Sequence, residues 1–189
     1  MPAQPTLESH HRPTSLASRA HRSTVAPTLF LTIYLILLGW LILWKFEIPW
    51  VGSGALRSIK LIPFVASGHA AASSSGEVLA NVAFFVPFGF LLGLRAPSWR
   101  WWHILLAGAV ISAFFEALQY VLAIGATDVT DVITNSAGAG IGFAIILTLH
   151  RLFGQRSQKV ALWISAVCTT VAILASLAFL VSPIHFSQH

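Results

Sequence analysis

The sequence predicts an all-α fold: a polytopic helical membrane bundle of about five transmembrane helices with one short interfacial or re-entrant segment. Three observations carry this. Of 189 residues, 56% are hydrophobic and only 9% charged, where soluble domains carry about 25% charged residues. Mean hydropathy is +0.78. Several uncharged stretches approach or exceed the roughly 20 residues that cross a bilayer as a helix.

A net charge of +5 and a pI of about 10.2 do not signal nucleic acid here. The basic residues are scattered around apolar spans, whereas phosphate binding by counterion release needs a clustered basic face. Membrane lipids are the expected surroundings, with no nucleic-acid partner. Cys168 is the single cysteine, so an intrachain disulfide and a Cys-based metal site are excluded.

Residues 1–25 are rich in Pro, Ser, Thr and His with few large apolar groups, and read as a disordered tail. The stretch is long for a signal-peptide n-region, and no small-residue cleavage pattern follows the first apolar run. Span one covers about 27–44, with Trp and Tyr suited to the interface. The polar connection 45–77 contains the apolar island LRSIKLIPF at 56–64, too short to span and expected to lie at the interface or dip into it. Its Arg57 and Lys60 would meet phosphate headgroups or snorkel. His69 and the serine run at 73–75 show no nucleophile elbow and read as a flexible polar loop. Span two covers about 78–94, and Pro87 within it should kink the helix. Span three covers about 101–123, span four 132–149 and span five 160–184. Gly89 with Gly93, and Gly138 with Gly142, form GxxxG faces for close helix approach. Tight contact between spans two and four would bring Asn81 and Asn135 together.

Orientation follows from Lys and Arg. With five spans, the tail, the second connection and the fourth connection share one side and carry eight of them, against three on the other side. That places the N-terminus in the cytoplasm and the C-terminus outside.

Three of the six acidic residues, Glu116, Asp128 and Asp131, fall within sixteen positions, in and beside these spans. An ionisable group at bilayer depth costs several kcal/mol, roughly 2.5–3.5 on the insertion scale, and usually marks a function. Glu116 lies about 22 Å along span three at 1.5 Å per residue, hence about 8 Å from the outer boundary of a core about 30 Å thick. Gln119 follows at i+3, and Asp131 and Asn135 share a face at i+4. Asn81 opens span two on the same outer side. Asn81, Glu116, Gln119, Asp128, Asp131 and Asn135 are therefore the candidate binding residues, meeting at one depth in an outward-facing polar cavity.

Each has a structural alternative. Glu116 could be glue, hydrogen-bonded to Gln119 or Asn81, although interhelical polar contacts average only about 0.6 kcal/mol. Asp128-Val-Thr-Asp131 resembles a helix N-cap with an acidic residue at N3, favoured by the helix dipole; equally, the two carboxylates could hold a cation or ammonium group at the rim. Oxygen-rich ligation would suit Mg²⁺ or Ca²⁺, and the absence of His from this cluster disfavours Zn²⁺. The spacing matches no named metal motif, so neither a metal nor a cofactor is expected.

The strings NVAFFVPFGFLLG at 81–93, FFEALQY at 114–120 and GATDVTDVITNSAGAGIG at 125–142, with KLIPF at 60–64, resemble the VanZ-like family of membrane proteins. Family members often carry Asn where this chain has Lys60. The resemblance divides the chain into a tail at 1–25, a VanZ-like domain of four spans at 26–152 and an additional C-terminal span at 153–189. It implies a multi-pass protein of the bacterial plasma membrane, linked to low-level resistance to the lipoglycopeptide teicoplanin. The polar cavity would take the headgroup of a lipid-linked envelope precursor or of a lipoglycopeptide, the antibiotic link resting on the resemblance alone; a reaction is not implied. The alternative is a membrane-embedded enzyme acting on an envelope lipid, with Glu116 as acid or base. A proton-coupled transporter ranks last, because the inner ends of the spans offer only Arg and His103.

Overall fold

The computed structural model describes residues 15–44, 51–52, 59–60, 62–64, 74–125 and 127–181. Five helices are long and apolar enough to cross a membrane. They are α1 (Ser15–Trp44), α2 (Ser75–Arg95), α3 (Trp101–Leu122), α4 (Val129–Phe153) and α5 (Ser157–Val181). The all-α membrane architecture is thus as the composition predicts.

Helix α1 starts at Ser15, inside the segment whose composition suggests a disordered tail. Its first ten residues contain Ala, Arg, Ser and Leu, none of which opposes a helix, and propagation from a formed span adds one bond per residue without a new nucleus. Residues 1–14 lie outside the described residues. Pro27 falls within α1, just where the apolar part of the span begins.

Helix α2 begins with a capping box: Ser74 Oγ accepts the Glu77 amide, and Glu77 Oε2 accepts the Ser74 amide. This reciprocal satisfaction of two orphan donors fixes the start of the span, so Ser74 and Ser75 are not loop, as the serine run had suggested. His69 and Ser73 lie outside the described residues. Pro87 stands inside a helix that continues to Arg95. One carbonyl along from the one the proline leaves without its amide partner, the Tyr34 hydroxyl of α1 donates to Phe84 O at 2.6 Å.

The tightest seam joins α2 and α4, and small residues make it. A methyl group on Gly89 would overlap the carbonyl oxygen of Ala139; on Gly138 it would overlap that of Val82, and on Gly142 that of Val86. The two GxxxG faces therefore meet, as their spacing predicts. Around this seam sits the core, with Phe85, Phe88, Ile104, Ala139, Phe143 and Ile146 buried together. Lipid is expected over the outward faces, where Val110, Phe114, Trp163, Val167 and Val171 are all exposed on the bare protein. At the end opposite the acidic residues, Trp99, Trp101 and Trp102 are exposed around the start of α3, the placement of an interfacial aromatic belt.

Two short strands complete the fold. β1 (Ile59–Lys60) pairs in parallel with β2 (Thr127–Asp128), Ile59 opposite Thr127 and Lys60 opposite Asp128. They tie the α1–α2 connection to the α3–α4 connection at one end of the bundle. The apolar island therefore does more than lie at the interface: its Ile59 and Lys60 form a pinned strand over the bundle end. Arg57 is outside the described residues.

Candidate functional site

The end capped by β1 and β2 concentrates the polar residues. Helix α4 starts where Asp128, in extended conformation, accepts the Thr130 amide on Oδ1 at 2.8 Å. Asp128 is thus the N-cap its sequence context predicts. Its other oxygen, Oδ2, receives the Lys60 ammonium at 2.9 Å, in a pair whose side chains are 2% and 14% exposed. Lys60 neither snorkels nor meets headgroups, contrary to the expectation for the island. Parallel pairing with β2 sets it opposite Asp128, the acidic N-cap of α4, and a lysine so buried needs that partner.

Glu116, 4% exposed, closes the next layer. Its Oε2 accepts the backbone amide of Asp128 at 2.8 Å, and its carbonyl accepts Thr127 Oγ1 at 3.3 Å. Asp131 follows in the first turn of α4. Its Oδ1 accepts Asn81 Nδ2 from α2 at 2.7 Å. Asn81, Glu116, Asp128 and Asp131 are therefore drawn into one cluster by α2, α3 and the start of α4.

Two of the six candidates stand apart from these contacts. Asn135 does not meet Asn81; its Nδ2 donates to Ser112 Oγ at 2.8 Å, one turn inward on the α3–α4 seam. The α2–α4 contact is as tight as expected, but its register sets Asn81 opposite Asp131. Gln119 turns away altogether: Nε2 donates to the Ile42 carbonyl of α1 at 3.0 Å. A step of three residues rotates about 300° around a helix, so Gln119 is offset by about 60° from Glu116, enough to face α1 while Glu116 faces α4. A cavity of about 410 Å³ lies between α1, α2, α4 and α5, lined by Tyr34, Phe84, Pro87, Phe90, Ser165 and Thr169 among others, and none of the six candidates lines it.

Sequence reasoning missed Lys60, Ser112 and Thr130 as members of this end of the bundle. Thr130 is fully buried, and its hydroxyl accepts the amide of Phe64 at 3.0 Å. Phe64 itself holds a left-handed backbone, φ 63°, which a bulky residue adopts only when its surroundings dictate it. The segment from Val51 is further held by Gly52, whose amide donates to Leu122 O at 2.9 Å. Only the acidic N-cap pattern was available as a signal for Lys60. Ser112, four residues before Glu116, was readable as the same helix face. Among the described residues, no group of three or more His, Cys, Asp or Glu is arranged to hold a metal ion.

The VanZ/LLP1 family model matches residues 31–153, from α1 through α4, including every residue of this cluster. The chain belongs to the VanZ-like family. It is 36% identical to Protein VanZ of Enterococcus faecium over 128 residues, 67% of this chain and 76% of that protein. No solved structure matches it. The matched region ends at the last residue of α4, so α5 is outside what the VanZ-like family model describes.

Proposed function

We propose that this VanZ-like protein sits in the bacterial plasma membrane with its N-terminus in the cytoplasm and recognises a polar headgroup at the outer end of its bundle. The headgroup belongs to a lipid-linked envelope component or a lipoglycopeptide, and the process served is glycopeptide (teicoplanin) resistance. One observation carries the reading: four polar side chains from three helices converge at a single end, under a strand that holds a buried lysine against them. Structural glue alone is a poor account of that set, because each carboxyl group brought to this depth costs more than an interhelical hydrogen bond returns. The similarity to Protein VanZ supports the resistance link, and the eight-to-three bias of Lys and Arg supports the outward orientation.

The test is susceptibility. Cells expressing the wild-type chain are expected to tolerate more teicoplanin than cells without it, and Glu116→Gln with Asp131→Asn should abolish the difference at equal membrane abundance. Undiminished tolerance in that double variant would falsify the reading.

The carboxyl pair of Glu116 and Asp131 favours a second reading, in which Glu116 acts as acid or base on an envelope lipid. Purified protein would then turn over that lipid, and Glu116→Gln would not. Absence of turnover with extracted envelope lipids counts against it.

A further inference from the structure

Helix α5 meets the rest of the bundle through small residues in steps of four. Ala161, Ser165 and Thr169 are all buried, the spacing of one helix face. Ala161 packs into the core. One and two turns further along, Ser165 and Thr169 instead line the cavity of about 410 Å³ between α1, α2, α4 and α5. Helix α5 is therefore seated on the bundle near its start and stands off from it beyond. Ile164, Cys168 and Ala172 complete the α5 wall, while α1 supplies Leu37 and Leu41 and α2 supplies Pro87 and Phe90.

The cavity lies at hydrocarbon depth. Its wall residue Tyr34 is about 13 Å past Val25, where the first span begins, and Ile164 is about 10 Å past Ser157, where α5 begins, at 1.5 Å per residue. Both are well inside a core about 30 Å thick. No charged residue lines the wall. Two of its hydroxyls are spent inside the protein, Tyr34 Oη on the Phe84 carbonyl at 2.6 Å and Ser165 Oγ on the Ala161 carbonyl at 2.8 Å. A cavity so apolar stays dry and admits apolar guests, and left unfilled it forfeits the dispersion contacts of its lining. It is also continuous with the lipid-facing surface. Ile164 and Cys168 border a second, shallow hollow beside Trp163 and Val167, and all four are exposed. The molecules standing outside that opening are acyl chains.

We propose that this cavity is a lipid site that takes one acyl chain of a bilayer phospholipid, lodged between α5 and the α1–α2 face. The chain fills the space that α5 leaves and ties the last span to the bundle. It is selected by shape and apolarity, because the wall offers a headgroup no charge to meet. The VanZ-like match ends at residue 153, so the α5 wall, and with it the closed site, lies beyond what that match describes.

The site is independent of headgroup recognition, since no residue of the polar cluster lines it. The purified full chain in detergent is titrated with phosphatidylcholine that carries a diazirine on one acyl chain, illuminated, and mapped by peptide mass spectrometry. Saturable label is expected on the cavity wall, at Cys168 and Ala172 of α5 and at Leu37 and Leu41 of α1. Ala172→Phe, whose ring would occupy the space, should lose that label. Val171→Phe, one position along on the exposed face of α5, should keep it. Three results would overturn the proposal: label confined to outward faces such as Val110 and Val171, saturation unchanged in Ala172→Phe, or ready reaction of Cys168 in phosphatidylcholine nanodiscs with a charged, water-soluble thiol reagent, the mark of a wet cavity. Should Ala172→Phe fail to fold, the wild-type map decides: saturable label on the wall supports the site, and its absence there removes it.

Discussion

At the scale of residues, the Lys60–Asp128 pair is the feature with the clearest energetic consequence. Removing one partner of a buried pair leaves an uncompensated charge and costs about 3–5 kcal/mol, whereas removing both is often close to neutral. Asp128 is the more exposed partner, so Lys60→Met should fall at the low end, about 3 kcal/mol. Combining it with Asp128→Asn should recover most of that loss, because Asn caps a helix as well as Asp. Denaturant unfolding of the single and double variants in detergent checks this; additive losses would mean that the two side chains do not act as a pair. Their meeting was not legible in the sequence. They are 68 positions apart, and nothing local to KLIPF announces which helix end lies beneath it. The Asp128 cap, by contrast, was legible because an N-cap depends on residues within one turn. Gln119 shows the limit of helical spacing as evidence: i+3 places two side chains near each other, yet two different helices can compete for them.

At the scale of elements, the α2–α4 seam is built for backbone contact. Gly142→Leu should wedge the helices apart and cost roughly 3 kcal/mol or more, the upper range for overpacking, because its methylene groups would meet backbone of α2 at Val86 and Phe90. Gly76→Ala is the control. It lies in the first turn of α2, a methyl there meets only Ser74 Oγ at 3.8 Å among the described residues, and replacing a helical glycine should stabilise by about 0.5–1 kcal/mol. Unfolding midpoints of the two variants should therefore move in opposite directions. Both GxxxG faces could be read directly from the sequence, since small residues four apart in an apolar run have few other uses. Tyr34 could not. Its hydroxyl is satisfied by the Phe84 carbonyl across 50 positions, and Tyr34→Phe should cost about 1 kcal/mol, the usual worth of one hydrogen bond.

At the scale of the whole molecule, five spans put the β1–β2 end and the Arg-rich 151–159 connection on opposite sides of the membrane. The chain has a single native cysteine, Cys168, so a Cys168→Ala background allows site-directed labelling. A cysteine introduced at Ile62 should react with an impermeant maleimide in intact cells, and one introduced at Gln158 should react only after lysis. The reverse pattern would invert the assigned orientation and put the polar cluster at the cytoplasmic face. The number of the spans was legible because lipid leaves a chain only one simple way to satisfy its backbone. How the polar residues divide among neighbours was not, since it depends on helix rotation that hydropathy does not encode.

The central claim is that Asn81, Glu116 and Asp131 recognise a headgroup and do not merely hold helices together. Direct binding tests it most closely: the purified chain in nanodiscs is titrated with teicoplanin and, separately, with extracted lipid-linked envelope precursor. At least one is expected to bind saturably to the wild-type chain, with affinity about tenfold or more weaker in Glu116→Gln, a loss of about 1.4 kcal/mol. Equal binding by wild type and variant, or none of either ligand by a folded wild-type chain, would contradict the claim.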